Sequence, residues 1–61
     1  MSEAQKNEAE QVIDHADQML REGYDSLTVL RRGLHKLNQL GLNLADFRHY
    51  RQRLEQVTGV K

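Results

Sequence analysis

Residues 26–43 read SLTVLRRGLHKLNQLGLN and predict one helix, a glycine stop and the start of the next helix. Steps of three, four and three residues separate the apolar positions Leu27, Leu30, Leu34 and Leu37. This spacing places them on one face of an α-helix, whereas a β-strand would need alternation. Asp25 or Ser26 can cap the helix start by accepting a hydrogen bond from a first-turn N–H. Gly41 predicts the helix end, because glycine adopts the left-handed conformation without steric cost.

Two further helices flank this central one. Before it, apolar residues recur at helical spacing at Ala9, Val12, Ile13, Ala16, Met19 and Leu20. After it, Asn43 can cap a helix whose inward face is Leu44, Phe47, Tyr50, Leu54 and Val57. We therefore predict an all-α three-helix bundle, with helices at about 3–22, 26–40 and 44–57, which homodimerisation could complete. The chain is predicted to form one domain, 1–61, with residues 1–7 and 58–61 frayed.

Gly33 lies in the middle of the central helix, where glycine costs about 1 kcal/mol relative to alanine. Two interpretations are open. Either another backbone or an aromatic ring approaches the helix closely at this position, or the glycine is a tolerated local weakness.

A chain of 61 residues buries only about 60% of its unfolded surface, so its stability needs support. The absence of cysteine excludes disulfides and thiolate metal sites, which leaves helix packing or self-association. We predict that a second copy is a partner. The residues predicted to form the core or the self-association interface are Ile13, Leu20, Leu27, Leu30, Leu34, Leu37, Leu40, Phe47, Tyr50 and Leu54.

Charge is unevenly distributed along a chain whose formal net charge is zero. Residues 1–25 hold seven acidic and two basic residues, and residues 26–61 hold the reverse, giving net charges of −5 and +5. The acidic first helix could pack near the basic helices, or the basic half could meet an acidic partner. The candidate surface for such a partner is Arg31, Arg32, Lys36, Arg48 and Arg51.

The sequence predicts neither catalysis nor a cofactor or metal site. It has no cysteine nucleophile and no glycine-rich phosphate loop, and its two serines, Ser2 and Ser26, lie at predicted helix starts. The three histidines, His15, His35 and His49, lack metal-ligand spacing. A polar N-terminal stretch and the lack of a long apolar run predict a cytoplasmic protein without a membrane partner, and the absence of cysteine fits that compartment.

The segment 37–53 supports a second interpretation of what the protein does. Gly41 and Leu42 lie in the predicted turn, and the apolar residues Phe47 and Tyr50 follow in the next helix. This pattern resembles the helix-turn-helix motif of DNA-binding proteins, although Leu37 stands where that motif usually has a small residue. The resemblance implies contacts to bases and phosphates from Arg48, Gln52, Arg51 and Arg53. Zero net charge is atypical of such domains.

Taken together, these patterns favour a small non-enzymatic module for protein–protein interaction or regulation that associates with itself. Sedimentation equilibrium tests the self-association directly. We expect the mass of a dimer, because two copies would bury apolar surface that one short chain leaves exposed. A clean monomer at high micromolar concentration would contradict it.

Overall fold

The computed structural model describes residues 2–60 and contains three helices, α1 (Glu3–Arg21), α2 (Ser26–Gln39) and α3 (Leu44–Thr58). The predicted all-α three-helix fold is confirmed, and each predicted helix end lies within one residue of the observed one. The predicted fraying of both termini remains a prediction. Residues 3–7 belong to α1 and Thr58 belongs to α3, whereas Met1 and Lys61 lie outside the described residues.

Side-chain caps explain where the helices begin. The Ser2 hydroxyl accepts from the Gln5 backbone N–H at 3.1 Å, and the Gln5 side chain accepts from the Ser2 N–H in return. Of the two predicted caps of α2, Asp25 is the one used, since its carboxylate accepts from the Thr28 N–H at 3.2 Å. The Asn43 side chain caps α3 at 2.9 Å. Each cap stabilises its helix by about 1 kcal/mol.

Short turns make sequential helices antiparallel neighbours. Gly41 has φ of +69°, which ends α2 as predicted and turns the chain toward α3. The Gln5 side chain donates to the Leu40 carbonyl at 3.0 Å, so the start of α1 lies beside the end of α2. That bond satisfies one of the carbonyls that a helix end leaves without a partner.

The core lies where the three helices meet, and each helix packs against both others. Its buried apolar residues are Ala9, Val12, Ile13, Ala16, Met19, Val29, Leu30, Leu37, Tyr50 and Leu54. The radius of gyration is 10.8 Å, close to the value of about 10.5 Å expected for a compact domain of this length. Among residues 2–60, every buried side-chain nitrogen or oxygen has a hydrogen-bond partner. The single chain therefore encloses a core of its own.

The buried face of α2 differs from the leucine face seen in the sequence. Leu30 and Leu37 are buried, but Leu27 is 45% exposed and Val29, at 1% exposed, takes its place in the core. Leu27 thus lies outside the core, and its place at a self-association interface remains a prediction. The half-buried members of the predicted set are Leu20, Leu34, Leu40 and Phe47. Leu44, predicted on the inward face of α3, is 65% exposed and lies outside the core.

Gly33 lies on the buried face of α2, one turn from Val29 and one turn from Leu37. A Cβ atom at Gly33 would lie 2.5 Å from Cδ2 and 3.0 Å from Cδ1 of Leu54, whose side chain is fully buried. Such distances are below normal van der Waals contact, so only glycine lets α3 approach α2 at this point. The close-approach interpretation is therefore favoured, although the approaching group is an aliphatic side chain rather than a backbone or a ring.

Replacing Gly33 by alanine should destabilise the protein by about 1 kcal/mol. Overpacking against Leu54 costs about 1–3 kcal/mol, which outweighs the gain of about 1 kcal/mol in helix propensity. Urea unfolding followed by circular dichroism measures the difference. The control is Asn38→Ala, at an exposed position of α2, which should leave stability unchanged or raise it. A Gly33→Ala variant more stable than the parent would show that the close contact is unimportant.

Candidate functional site

The antiparallel pair α1 and α2 leaves an open groove of about 290 Å³ on the protein surface, which we call the α1–α2 groove. Its floor is apolar and comes from Val12, Ala16 and Met19 of α1 and from Val29 and Gly33 of α2. Its rim is basic and imidazole-rich and comes from His15, Arg31, Arg32, His35 and Lys36.

The floor follows from helix periodicity and side-chain size. Val12, Ala16 and Met19 are three or four residues apart, so they line one side of α1. Ala16 and Gly33 are the smallest of the floor residues; Ala16 is 3% exposed, and Gly33 lies against Leu54 of α3. Val12, Ala16, Met19 and Val29 therefore belong to the core as well as to the groove floor, and each is 1–8% exposed.

The rim carries three of the five basic residues that the sequence analysis selected. Arg32 and Lys36 are one turn apart on the edge of α2 that faces α1, and Arg31 adjoins them. The ion pairs within residues 2–60 are Asp17–Arg21, Glu55–Arg51 and Glu10–Arg53, so none of the three rim residues takes part in one. Positive charge that is not held in an ion pair within residues 2–60 therefore borders the groove floor.

One polar contact spans the groove. Nζ of Lys36 lies 3.3 Å from Nδ1 of His15, which accepts the hydrogen bond when that nitrogen carries no proton. Both side chains are exposed. Beyond this contact the groove continues between Gln11 of α1 and Leu40 at the end of α2. The groove thus follows the α1–α2 pair over most of the length of α2.

The other two selected basic residues, Arg48 and Arg51, lie on α3 and do not line the groove. The Arg51 side chain pairs with Glu55 one turn later, Nε to Oε1 at 3.3 Å. The five residues are therefore divided between the α1–α2 groove and α3.

A different contact joins the acidic and basic halves of the chain. Nη1 of Arg53 on α3 donates to Oε1 of Glu10 on α1 at 2.6 Å, and the Arg53 guanidinium lies 5.7 Å from the centroid of the Tyr50 ring. The Arg53 hydrogen bond lowers the pKa of Glu10, and burial raises the pKa of Tyr50. Part of the charge asymmetry is thus used to hold α1 against α3.

The groove offers little chemistry beyond binding. Within the described residues its lining holds no hydroxyl or thiol, and its one carboxylate is Glu8, where the groove continues toward Leu40. Residues 2–60 contain no group of three side chains that could hold a metal ion. His15 and His35 lie on the groove rim, whereas the His49 ring packs edge-on against Tyr50 with centroids 5.1 Å apart.

The α2–turn–α3 segment has the parts of the predicted helix-turn-helix motif, and Arg48 and Arg51 are exposed on α3. Tyr50 is buried and Leu42 is half-buried, as such a turn needs. Two of the four residues that would contact DNA, Arg51 and Arg53, are paired with glutamates. DNA binding remains a predicted alternative.

Within residues 2–60, every helix is too short or too polar to cross a lipid bilayer. Comparison of the chain with models of protein families, with curated proteins and with solved structures finds no match. The groove is therefore interpreted from its own geometry.

The sequence analysis missed Val29 and the two rim histidines as parts of one site. The spacing of Val29, Gly33 and Leu37, one turn apart each, indicates the buried face when glycine is counted as a packing residue. The spacing of His15 and His35 in the sequence does not indicate a shared site, because the two lie on different helices and meet only when α1 and α2 pair.

The Glu10–Arg53 pair predicts a pH dependence of stability. Folding lowers the pKa of Glu10. Ionised Glu10 therefore stabilises the fold at pH values above the pKa that it has in the unfolded chain. This stabilisation is lost as the pH falls through the lower pKa of the folded state. Both side chains are more than a third exposed, so solvent screening limits the contribution to about 0.5 kcal/mol. We expect Glu10→Gln to lower the free energy of unfolding at neutral pH and to leave it unchanged in acid.

Urea unfolding at neutral pH and at about pH 3 measures this difference. The matched control is Glu8→Gln, which alters another exposed carboxylate of α1 that forms no ion pair within residues 2–60. A Glu10→Gln effect of equal size at both pH values would contradict the assigned role of the pair.

Proposed function

We propose that the chain is a small, non-enzymatic, cytoplasmic interaction or regulatory module that binds an acidic surface of a partner protein in the α1–α2 groove. The observation that carries the proposal is the exposed basic rim of Arg31, Arg32 and Lys36, none of which forms an ion pair within residues 2–60. Complementary charge on a partner surface supplies selection and speeds association.

The size and lining of the groove also favour a protein partner. Pockets for small-molecule substrates are commonly about 300–1,000 Å³ and enclose most of the ligand. The section of about 290 Å³ lies just below that range and is open to solvent, and the described lining of the groove holds no hydroxyl or thiol nucleophile. A macromolecular surface can cover it without entering it.

Self-association is a second proposal, supported by a different part of the molecule. Tyr24 and Leu27, near the turn between α1 and α2, are 49% and 45% exposed, and neither lines the groove. A second copy would remove these two large apolar side chains from water. Sedimentation equilibrium, described above, decides this point without involving the groove.

Reversing the rim charges should abolish the preference for acidic partners. The variant is Arg32→Glu with Lys36→Glu, and the matched control is Arg48→Glu with Arg51→Glu, which changes the net charge equally on α3. The probe is a disordered peptide of glutamate and leucine, and amide chemical shifts report binding. We expect the rim variant to weaken binding about tenfold, equivalent to 1.4 kcal/mol for two contacts turned from attractive to repulsive.

The α3 control should change affinity by less than about twofold at moderate salt, because its charges lie off the groove and are screened beyond about 10 Å. Equal losses in the two variants would show that only net charge matters, and the groove proposal would then fail.

A further inference from the structure

We infer that the rim of the α1–α2 groove responds to pH, because protonation of His15 and His35 adds positive charge beside Arg31, Arg32 and Lys36. An acidic partner surface then binds more tightly at about pH 5.5 than at about pH 7.5, the range in which histidine side chains change their charge. This inference rests on the proposed function and adds the regulation of the same surface.

The two imidazoles lie among the cations of the rim. His35 belongs to α2, three residues after Arg32 and one before Lys36, and His15 lies across the groove on α1. All four side chains are exposed, so protons reach the imidazoles and a partner surface can contact them. A proton on either imidazole therefore adds a charge of the sign that the rim already carries.

The contact between His15 and Lys36 links the protonation state to the position of a rim cation. Nζ of Lys36 lies 3.3 Å from Nδ1 of His15, and an ammonium group can only donate a hydrogen bond. Nδ1 must therefore be unprotonated to hold the Lys36 amino group against α1. A protonated imidazole carries hydrogens on both ring nitrogens and repels the ammonium group. Protonation thus frees the Lys36 side chain to turn toward a carboxylate of the partner.

The charged groups around His15 are mainly cations. On α1, Glu8 lines the continuation of the groove, whereas Asp14 precedes His15 and points about 100° away from it around the helix. From α2, Arg32 and Lys36 line the same section of the groove as His15. Among residues 2–60, no residue of α3 lines either section. The groove therefore sets one carboxylate against two cations near this imidazole.

His35 has no carboxylate on its own helix, because residues 26–39 contain neither aspartate nor glutamate. One turn before it stand Arg31 and Arg32, and one turn after it stands the neutral Gln39. The titratable group on the α1 side of the same groove section is His15. A positive charge on His35 therefore has no counter-ion on α2 and is available to a carboxylate of the partner.

His49 offers a matched comparison on α3. Its ring packs edge-on against Tyr50 with centroids 5.1 Å apart, and it does not line the groove. His49 is exposed, like the two rim histidines. Replacing it removes one imidazole from the chain and leaves the rim unaltered.

The test compares the affinity of the full chain for one acidic probe at two pH values. The probe is a disordered peptide of aspartate and glycine, because aspartate stays ionised between about pH 5.5 and pH 7.5. Fluorescence anisotropy at low ionic strength gives the affinities. We expect about fivefold tighter binding at the lower pH, since each added charge at an exposed interface contributes modestly. Added salt should reduce the difference, because exposed charges are screened.

The decisive variant is His15→Gln with His35→Gln, which keeps polar side chains but removes both groups that change charge. Its affinity should match the parent at about pH 7.5 and should change less than twofold on lowering the pH. The control His49→Gln should keep the fivefold difference. Circular dichroism of each variant at both pH values verifies that it is folded.

A direct readout is the ring nitrogen chemical shifts of His15 and His35 at about pH 6.5. A ligand that binds the protonated rim more tightly must favour protonation by the same factor, since the coupling between two binding events is reciprocal. Adding the aspartate peptide should therefore move these shifts toward those of the protonated imidazole, while the shifts of His49 should stay unchanged.

The outcomes separate this inference from the proposed function. Equal affinity of the parent at both pH values would overturn the inference and leave an acidic partner standing. A pH dependence that survives in the His15, His35 variant, or that disappears in the His49 control, would also overturn it. If the peptide binds at neither pH, or if Arg32→Glu with Lys36→Glu leaves its binding unchanged, the proposed function fails as well.

Discussion

The close contact between Gly33 of α2 and Leu54 of α3 is the constraint on which the rest of the structure depends. A side chain at Gly33 has no room, so the backbone of α2 lies directly against a fully buried leucine. That contact fixes the rotation of α2, with Val29 and Leu37 turned inward. The residues on the α1 side of the same helix then become the basic rim of the groove. Core packing and the candidate binding surface therefore lie on two sides of the same helix.

The uneven charge of the chain has two roles. On the α3 side of α1, Glu10 and Arg53 neutralise each other and tie the first helix to the last. On the α2 side, the cations of the rim are not matched by carboxylates of α1. Charge that is paired inside a protein contributes to its own stability, whereas unpaired charge beside an apolar floor is available to a partner. The zero net charge of the chain conceals this difference.

The sequence predicted the helices well because their ends depend on local chemistry. The caps at Asp25 and Asn43 and the left-handed Gly41 involve only neighbouring residues. The rotation of α2 could not be predicted in this way. Leucine spacing favoured Leu27 over Val29, but the packing of Gly33 depends on a residue of α3 that is distant in sequence. The groove was likewise missed as a site, because it exists only once α1 and α2 pair.

The central claim is that α2 is turned so that its basic edge lies exposed beside α1 and binds an acidic partner. Intermolecular nuclear Overhauser effects between an acidic peptide and the side chains of the protein test it most directly. The account predicts contacts from the peptide to the side chains of Arg32 and Lys36, at the groove rim. Contacts confined to Leu27, or to side chains of α3, would contradict it.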